Sequence, residues 1–179
     1  EFAFISRILK EKGIEQYIDA AKIIKAKYPN TVFHVAGFGD NSYEDKMKKL
    51  HTEGIINYHG LLIDVRELIK DIHCVIHPTY YPEGMSNVLL ESAASARPII
   101  STNRAGCREA ISDCDTGYIV EPKNTNDLVE KIEKFLSLSY TQKKLMGVKG
   151  REKIEVEFDR NIVINSYLKE VDSLLQNRL

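Results

Sequence analysis

From its first residues to about residue 120, the chain alternates short apolar runs of strand length with longer segments whose apolar residues recur at helical spacing. No other feature constrains the fold as tightly. Phe2 to Ser6 reads as a strand, and Ile14, Tyr17, Ala21 and Ile24 then mark one face of a helix that stops at Tyr28-Pro29-Asn30. Thr31 to Gly37 reads as a second strand, followed by a polar helix near Tyr43 to Thr52. Ile55 to His59 is a short third strand, Val65 to Lys70 a short helix, and Cys74 to His77, ended by Pro78, a fourth strand. A loop holding Tyr80, Tyr81, Pro82, Glu83 and Gly84 leads into a helix from about Ser86 to Ser95. Pro98 to Ser101 and Gly117 to Val120 are the fifth and sixth strands. Short strands joined by helices pair in parallel and need cover on both faces, so the expected class is α/β, a doubly wound, Rossmann-like parallel sheet of about six strands. Such sheets gather ligands at the carboxyl ends of their strands. The segments after residues 6, 37, 77 and 101 are thereby selected as candidates.

Beyond residue 120 the pattern is helical. Asn124 can cap a helix that carries Asp127 near its positive end and Leu128, Ile132 and Phe135 on its apolar stripe. A second helix is expected over Thr141 to Glu157. A third starts at Asp159 and presents Val163, Tyr167, Val171 and Leu174. All three are expected to cover the sheet, although the terminal segment, 159–179, is also placed to pack toward a neighbouring domain. Glu1 enters an apolar strand at once with no starting Met, which reads as an edge from which a preceding domain has been removed.

With 179 residues, 43% of them hydrophobic, the chain can bury one sizeable core, and residues 1–179 are read as one domain. Twenty-six acidic residues against 25 Lys plus Arg leave no field to hold a nucleic acid backbone, so any phosphate binding must be local. Cys74, Cys107 and Cys114 are odd in number and lack metal-site spacing, which suits a reducing, cytoplasmic setting. No apolar stretch reaches the roughly 18 residues of a membrane span. His34, His51, His59, His73 and His77 form no metal motif and read as packed, hydrogen-bonded or edge residues, and no DxD cluster is present.

Three segments carry candidate chemistry. In Ser6-Arg7-Ile8-Leu9-Lys10-Glu11-Lys12-Gly13, Arg7 leaves the first strand and Lys12 stands at the start of the next helix, where free N–H groups and the helix dipole favour an anion. Two cations at a helix start can neutralise a diphosphate and the charge that grows on it when a bond to it breaks. The same segment also reads as a solvated basic loop. Gly37-Phe38-Gly39 allows either a tight turn or close backbone approach to a ligand, and it lacks the third glycine of a dinucleotide fingerprint. The densest segment is 78–98. Glu83 and Glu91 stand eight residues apart, Gly84 permits a turn, and Ser86-Asn87 offers cap chemistry to the helix carrying Glu91. The neighbours of Glu91 are apolar, so it reads as an acid on a packing helix that needs a partner: a ribose diol, a nearby backbone group or Arg97. Glu83 reads as a sugar-side acid or as a solvent-facing loop residue. Two carboxylates also admit hydrolytic chemistry, which would leave Arg7 and Lys12 unexplained. Tyr80 and Tyr81 can contact a base or sugar or simply pack. The backbone of Asn103 to Cys107 lies on the same side.

Taken in order, Arg7 with Glu11-Lys12-Gly13, Gly37-Phe38-Gly39, Glu83-Gly84 through Glu91, and Arg97-Pro98-Ile99-Ile100 resemble the carboxyl-terminal, donor-binding domain of family 4 (group 1) retaining glycosyltransferases of the two-Rossmann-domain (GT-B) kind. The wording EGMSNVLLE is most similar to bacterial enzymes of capsule, exopolysaccharide and O-antigen synthesis. The resemblance implies a nucleoside diphosphate sugar as donor, UDP-sugar ahead of GDP-sugar, with no cofactor and no metal required. It places Arg7 and Lys12 on the diphosphate, Glu91 on the ribose and Glu83 against the transferred hexose. It puts the backbone of Gly84, Met85, Ser86 and Asn87 near sugar and phosphates, and Gly37 and Gly39 beside the donor. Arg7, Lys12 and Glu83 are then the groups closest to the chemistry. The implied reaction keeps the anomeric configuration and moves a hexose to a glycan or lipid-linked acceptor held by a preceding domain, in a protein that is cytoplasmic or peripheral on the inner membrane face. Where the family carries glycine before Arg97-Pro98, this chain carries Ala96, whose methyl is expected to tighten the turn. A nucleotide-sugar epimerase of the same architecture and a noncatalytic interaction module are the alternatives.

Overall fold

The computed structural model describes residues 1–82 and 84–176. Six strands form one parallel sheet: β1 (Phe2–Ile5), β2 (Phe33–Ala36), β3 (Asn57–Gly60), β4 (Cys74–His77), β5 (Ile99–Thr102) and β6 (Gly117–Val120). Their order across the sheet is β3-β2-β1-β4-β5-β6. The chain therefore builds outward in one direction from β1 to β3, returns to the other side of β1, and builds outward again. Between β1 and β4 the loops diverge to opposite faces, which opens a crevice at the carboxyl edge.

All four residues of β1, β2, β4 and β5 are buried, as a parallel sheet covered on both faces requires. On one face Phe2, Phe4 and Phe33 pack against α1 (Ile14–Lys27), α2 (Asn41–Thr52) and α5 (Thr125–Ser137) through Tyr17, Met47 and Phe135. The Phe2 and Phe33 rings stack at 5.1 Å, and the buried Tyr17 hydroxyl donates to the His34 carbonyl at 2.8 Å, so its polar tip is satisfied inside the core. The opposite face sets Ala3, Ile5 and Val75 against α3 (Arg66–Ile69) and Ile72, three residues beyond it. It also sets Ile99 against Leu89 and Ala93 of α4 (Asn87–Ala94), backed by Ile154 of α6 (Tyr140–Glu157).

The caps lie where side-chain chemistry favours them. Asp40 accepts from the Tyr43 amide to start α2, and Asn124 accepts from the Asp127 amide to start α5. Ser139 and Gln142 form a reciprocal capping box at the head of α6. The final helix, α7 (Arg160–Gln176), buries none of its residues. The expectation that it covers the sheet is corrected: Val163, Tyr167, Val171 and Leu174 are all at least half exposed. No described helix is long and apolar enough to cross a membrane.

Candidate functional site

The loops at the carboxyl edge are bound to one another by backbone hydrogen bonds. After β1, the Ser6 amide donates to Ala36 and the Ile8 amide to Phe38, so the segment carrying Arg7 lies against the Gly37-Phe38-Gly39 turn. A methyl at Gly37, where φ is +144°, would sit 1.8 Å from the Ser6 carbonyl oxygen, and one at Gly39 would sit 2.9 Å from that of Ile8. These glycines are thus required by contact between two protein loops. The turn is also clamped from outside. Glu44 accepts from the Gly39 amide and from the Tyr58 hydroxyl at 2.7 Å, and the Tyr58 hydroxyl also reaches the Gly37 carbonyl. The Tyr58 contact first, then the Gly39 amide, lowers the Glu44 carboxyl below its ordinary value. Nothing in the spacing of Glu44 and Tyr58 signals this clamp.

Arg7 is exposed at the edge. Lys12 ends a one-turn 3-10 segment, Lys10–Lys12, and Gly13, in a left-handed conformation, then starts α1 with no side-chain cap on its first amides. Only 7% of Lys12 is exposed, and its ammonium lies 4.8 Å from the centre of the Tyr81 ring. The next loop is bolted to this one. The carbonyl of Glu11 accepts from the Tyr80 and Tyr81 amides and from the Thr79 hydroxyl, and a methyl at Gly13 would meet the Pro78 carbonyl oxygen at 2.1 Å. Tyr80 in turn carries the Lys123 ammonium 4.6 Å from its ring centre. Burial, followed by nearby Glu11, raises the Tyr80 phenol above its ordinary value.

Glu83 lies outside the described residues. Gly84 is exposed with open space around it, Met85 and Asn87 are exposed, and Ser86 is buried. The reading of Ser86 as a side-chain cap is corrected, because its hydroxyl stands 3.4 Å from His77 Nε2 and makes no capping bond. Its amide donates to Gly106, which ties the loop after β5 to the head of α4. The burial expected of Glu91 is corrected as well. Leu89, Ser92 and Ala93 turn inward, and one helical step away Glu91 faces solvent. Nor is Arg97 its partner, since that guanidinium donates to the carbonyls of Ile69 and Lys70. Glu91 instead lines a groove of about 430 Å³ with Ile63, Asp64, Val65 and Arg66. Ile63 is fully exposed there, and Asp64 is held to about 2 by hydrogen bonds from Arg66. Apolar residues in an otherwise polar loop, Leu61 to Ile63, were the available sequence signal for this wall.

A cavity of about 180 Å³ at the opposite edge of the sheet is lined by His73, Arg97, Lys143 and Lys144. Arg97 closes the end of α3 as described, and Lys143 donates to the Leu136 carbonyl near the end of α5, so both are committed to helix termini. His34 contacts His59 at 2.9 Å, and burial lowers both imidazoles below their ordinary value. Among the described residues no group of three or more His, Cys, Asp or Glu is arranged to hold a metal ion.

The strand order reverses between β1 and β4, as in the doubly wound sheet that the sequence resemblance implied, with Lys12 in the segment after β1 and Glu91 in a groove beside α4. The sequence model of the family described as glycosyl transferases group 1 matches residues 1–153. The chain belongs to this family. It is 30% identical over 173 residues to the N,N'-diacetylbacillosaminyl-diphospho-undecaprenol alpha-1,3-N-acetylgalactosaminyltransferase of Campylobacter jejuni, covering 97% of this chain and 44% of that protein. The capsular polysaccharide biosynthesis glycosyltransferase CapM of Staphylococcus aureus is 30% identical over 180 residues, covering 93% of this chain and 46% of CapM. The crystal structure of Anabaena HepE in complex with UDP has the same fold, with a TM-score of 0.82 at 20% identity over 96% of this chain and 48% of that one. This group 1 chain thus spans less than half the length of these proteins.

Proposed function

We propose that the chain is the donor-binding half of a glycosyltransferase that takes a hexose from a nucleoside diphosphate sugar, most simply a UDP-sugar. The observation that carries this reading is the joining of the Arg7–Lys12 segment to the loop leading into α4, across the point where the strand order reverses. Arg7 and Lys12 neutralise the diphosphate. The first amides of α4, which no side chain caps, face the same loop and add partial positive charge. Glu91 accepts from the ribose diol, and the base lies along the groove wall at Ile63 to Arg66. Glu83 stands against the hexose, with the backbone of Gly84 to Asn87 beside it. HepE was crystallised with UDP, and the C. jejuni relative is named for a diphospho-undecaprenol substrate, which supports a nucleotide donor and a lipid-linked or glycan acceptor.

In this reading, closure of a second domain over the crevice excludes water and sets the acceptor hydroxyl on the face of the sugar that the leaving phosphate occupies. Configuration is retained, and the departing phosphate takes the acceptor proton. The protein works at the cytoplasmic side, peripheral to the membrane when its acceptor is lipid-linked. The exposed apolar face of α7 packs against the remainder of the enzyme.

Calorimetric titration of the folded chain with UDP, GDP, ADP and CDP tests the assignment. Saturable binding of UDP that weakens at least tenfold both in Glu91→Ala and in the double variant Arg7→Ala/Lys12→Ala is the expected result. Undiminished binding in the double variant removes the diphosphate assignment, and preference for another nucleotide replaces the base.

A further inference from the structure

We infer that Tyr81 is a positioning residue for Lys12: its ring holds the ammonium where the donor diphosphate binds, and the loop after β4 thereby sets the cation of the loop after β1. The inference rests on the diphosphate assignment above. Lysine is a poor fixed charge by itself, because a compact ammonium on a four-carbon stem loses much rotamer freedom when held in place. Here that freedom is removed before any ligand arrives. The stem is buried, and the charge lies 4.8 Å from the ring centre, within the range over which an aromatic face attracts a cation.

Both partners hang from one anchor. The Tyr81 amide donates to the Glu11 carbonyl at 3.0 Å and to the Thr79 hydroxyl at 3.2 Å, and that hydroxyl itself donates to the Glu11 carbonyl. Glu11 immediately precedes Lys12, so these bonds fix the backbone of Tyr81 beside that of Lys12 and hold the ring within reach of the ammonium. Tyr81 is also 40% exposed, so its ring stands at the surface beside the loop that carries Lys12. A cation held before binding costs less to order when the diphosphate arrives, so the effect is read in affinity.

The test is a double-mutant cycle in the full chain, read as UDP affinity by calorimetry, with thermal unfolding confirming each variant's fold. Tyr81→Leu is expected to weaken UDP binding about three- to tenfold. Tyr81→Phe, which keeps the ring, stays within about twofold of the native chain. In a Lys12→Met background, Tyr81→Leu costs nothing further, because the ring acts only through the ammonium. The Lys12 side-chain methylene protons, shifted upfield by the ring in the native chain, return toward their ordinary position in Tyr81→Leu. An equal loss from Tyr81→Leu with Lys12 present or absent overturns the inference and makes Tyr81 a direct ligand contact. A Tyr81→Phe variant as weak as Tyr81→Leu assigns the effect to the hydroxyl and overturns it too. If Lys12→Met leaves UDP affinity unchanged, or the native chain binds no UDP, the diphosphate assignment itself falls. Lys12→Met weakening UDP while Tyr81→Leu does nothing removes only the role of Tyr81.

Discussion

Ala96 links α4 to β5 at φ +52°, a left-handed conformation that an alanine adopts at a cost of about 1 kcal/mol relative to glycine. The turn is simply the short way from the end of a helix into the proline that opens a core strand, and Gly147 of α6 leaves room for its carbonyl. Ala96→Gly should therefore raise stability by about 1 kcal/mol, or about 2–4 °C in Tm for a domain of this size, measured by thermal unfolding followed by circular dichroism. A lower Tm would mean that contacts of the methyl outweigh the backbone relief. The departure from the family's glycine was visible in the sequence, and the left-handed backbone behind it supplies the physical reason. Glu91 makes the complementary point. Its apolar neighbours suggested burial, yet Leu89 and Ala93 lie four apart on the inner face of α4 while Glu91 lies between them on the outer one. Helical period, applied residue by residue, places that acid correctly where average apolarity does not.

At the scale of elements, short strands buried on both faces were the most legible. The bounds of β4 and β6 are those read from Cys74 to His77 and Gly117 to Val120. The strand near residue 57 begins two residues later than its apolar start, because Ile55 and Ile56 are drawn back toward Leu50 at the end of α2 and pairing starts at Asn57. Helix α6 was legible despite two glycines in its interior, and its packing explains them. A methyl at Gly147 would lie 2.1 Å from the Ala96 carbonyl oxygen, whereas one at Gly150 would meet Thr116 and Ala93 at ordinary contact distance. Gly147→Ala should cost about 1–3 kcal/mol despite the better helix propensity of alanine, since the helix must move off the turn it touches. Gly150→Ala supplies the control: denaturant unfolding should show it neutral or stabilising by up to about 1 kcal/mol. Equal effects of the two substitutions would remove close approach as the reason for Gly147. The interlocking of the edge loops was not legible, because it consists of backbone bonds between segments far apart in sequence and leaves no residue-type signature.

At the scale of the whole molecule, the sheet and its helices form a closed unit through α6, and α7 stands outside it. The family match ends at residue 153, before α7 begins, and no α7 residue is buried. A helix of 17 residues with Tyr167 and Leu174 each more than three-fifths exposed gains little from the rest of this chain. Nothing among the described residues covers its apolar stripe. Alternating period-2 and period-3.6 patterns specified the closed unit, whereas the same period in α7 specified a buried face without saying what buries it. Deleting residues 160–179 should consequently leave the unfolding temperature within about 2 °C of the native chain, because stability scales with apolar area removed from water and α7 removes very little. The deletion should also reduce self-association in sedimentation experiments at high protein concentration, by removing an exposed apolar stripe. A large fall in Tm would show that α7 returns to the sheet in solution, and the assignment of its apolar face to the remainder of a longer enzyme would then have to be withdrawn.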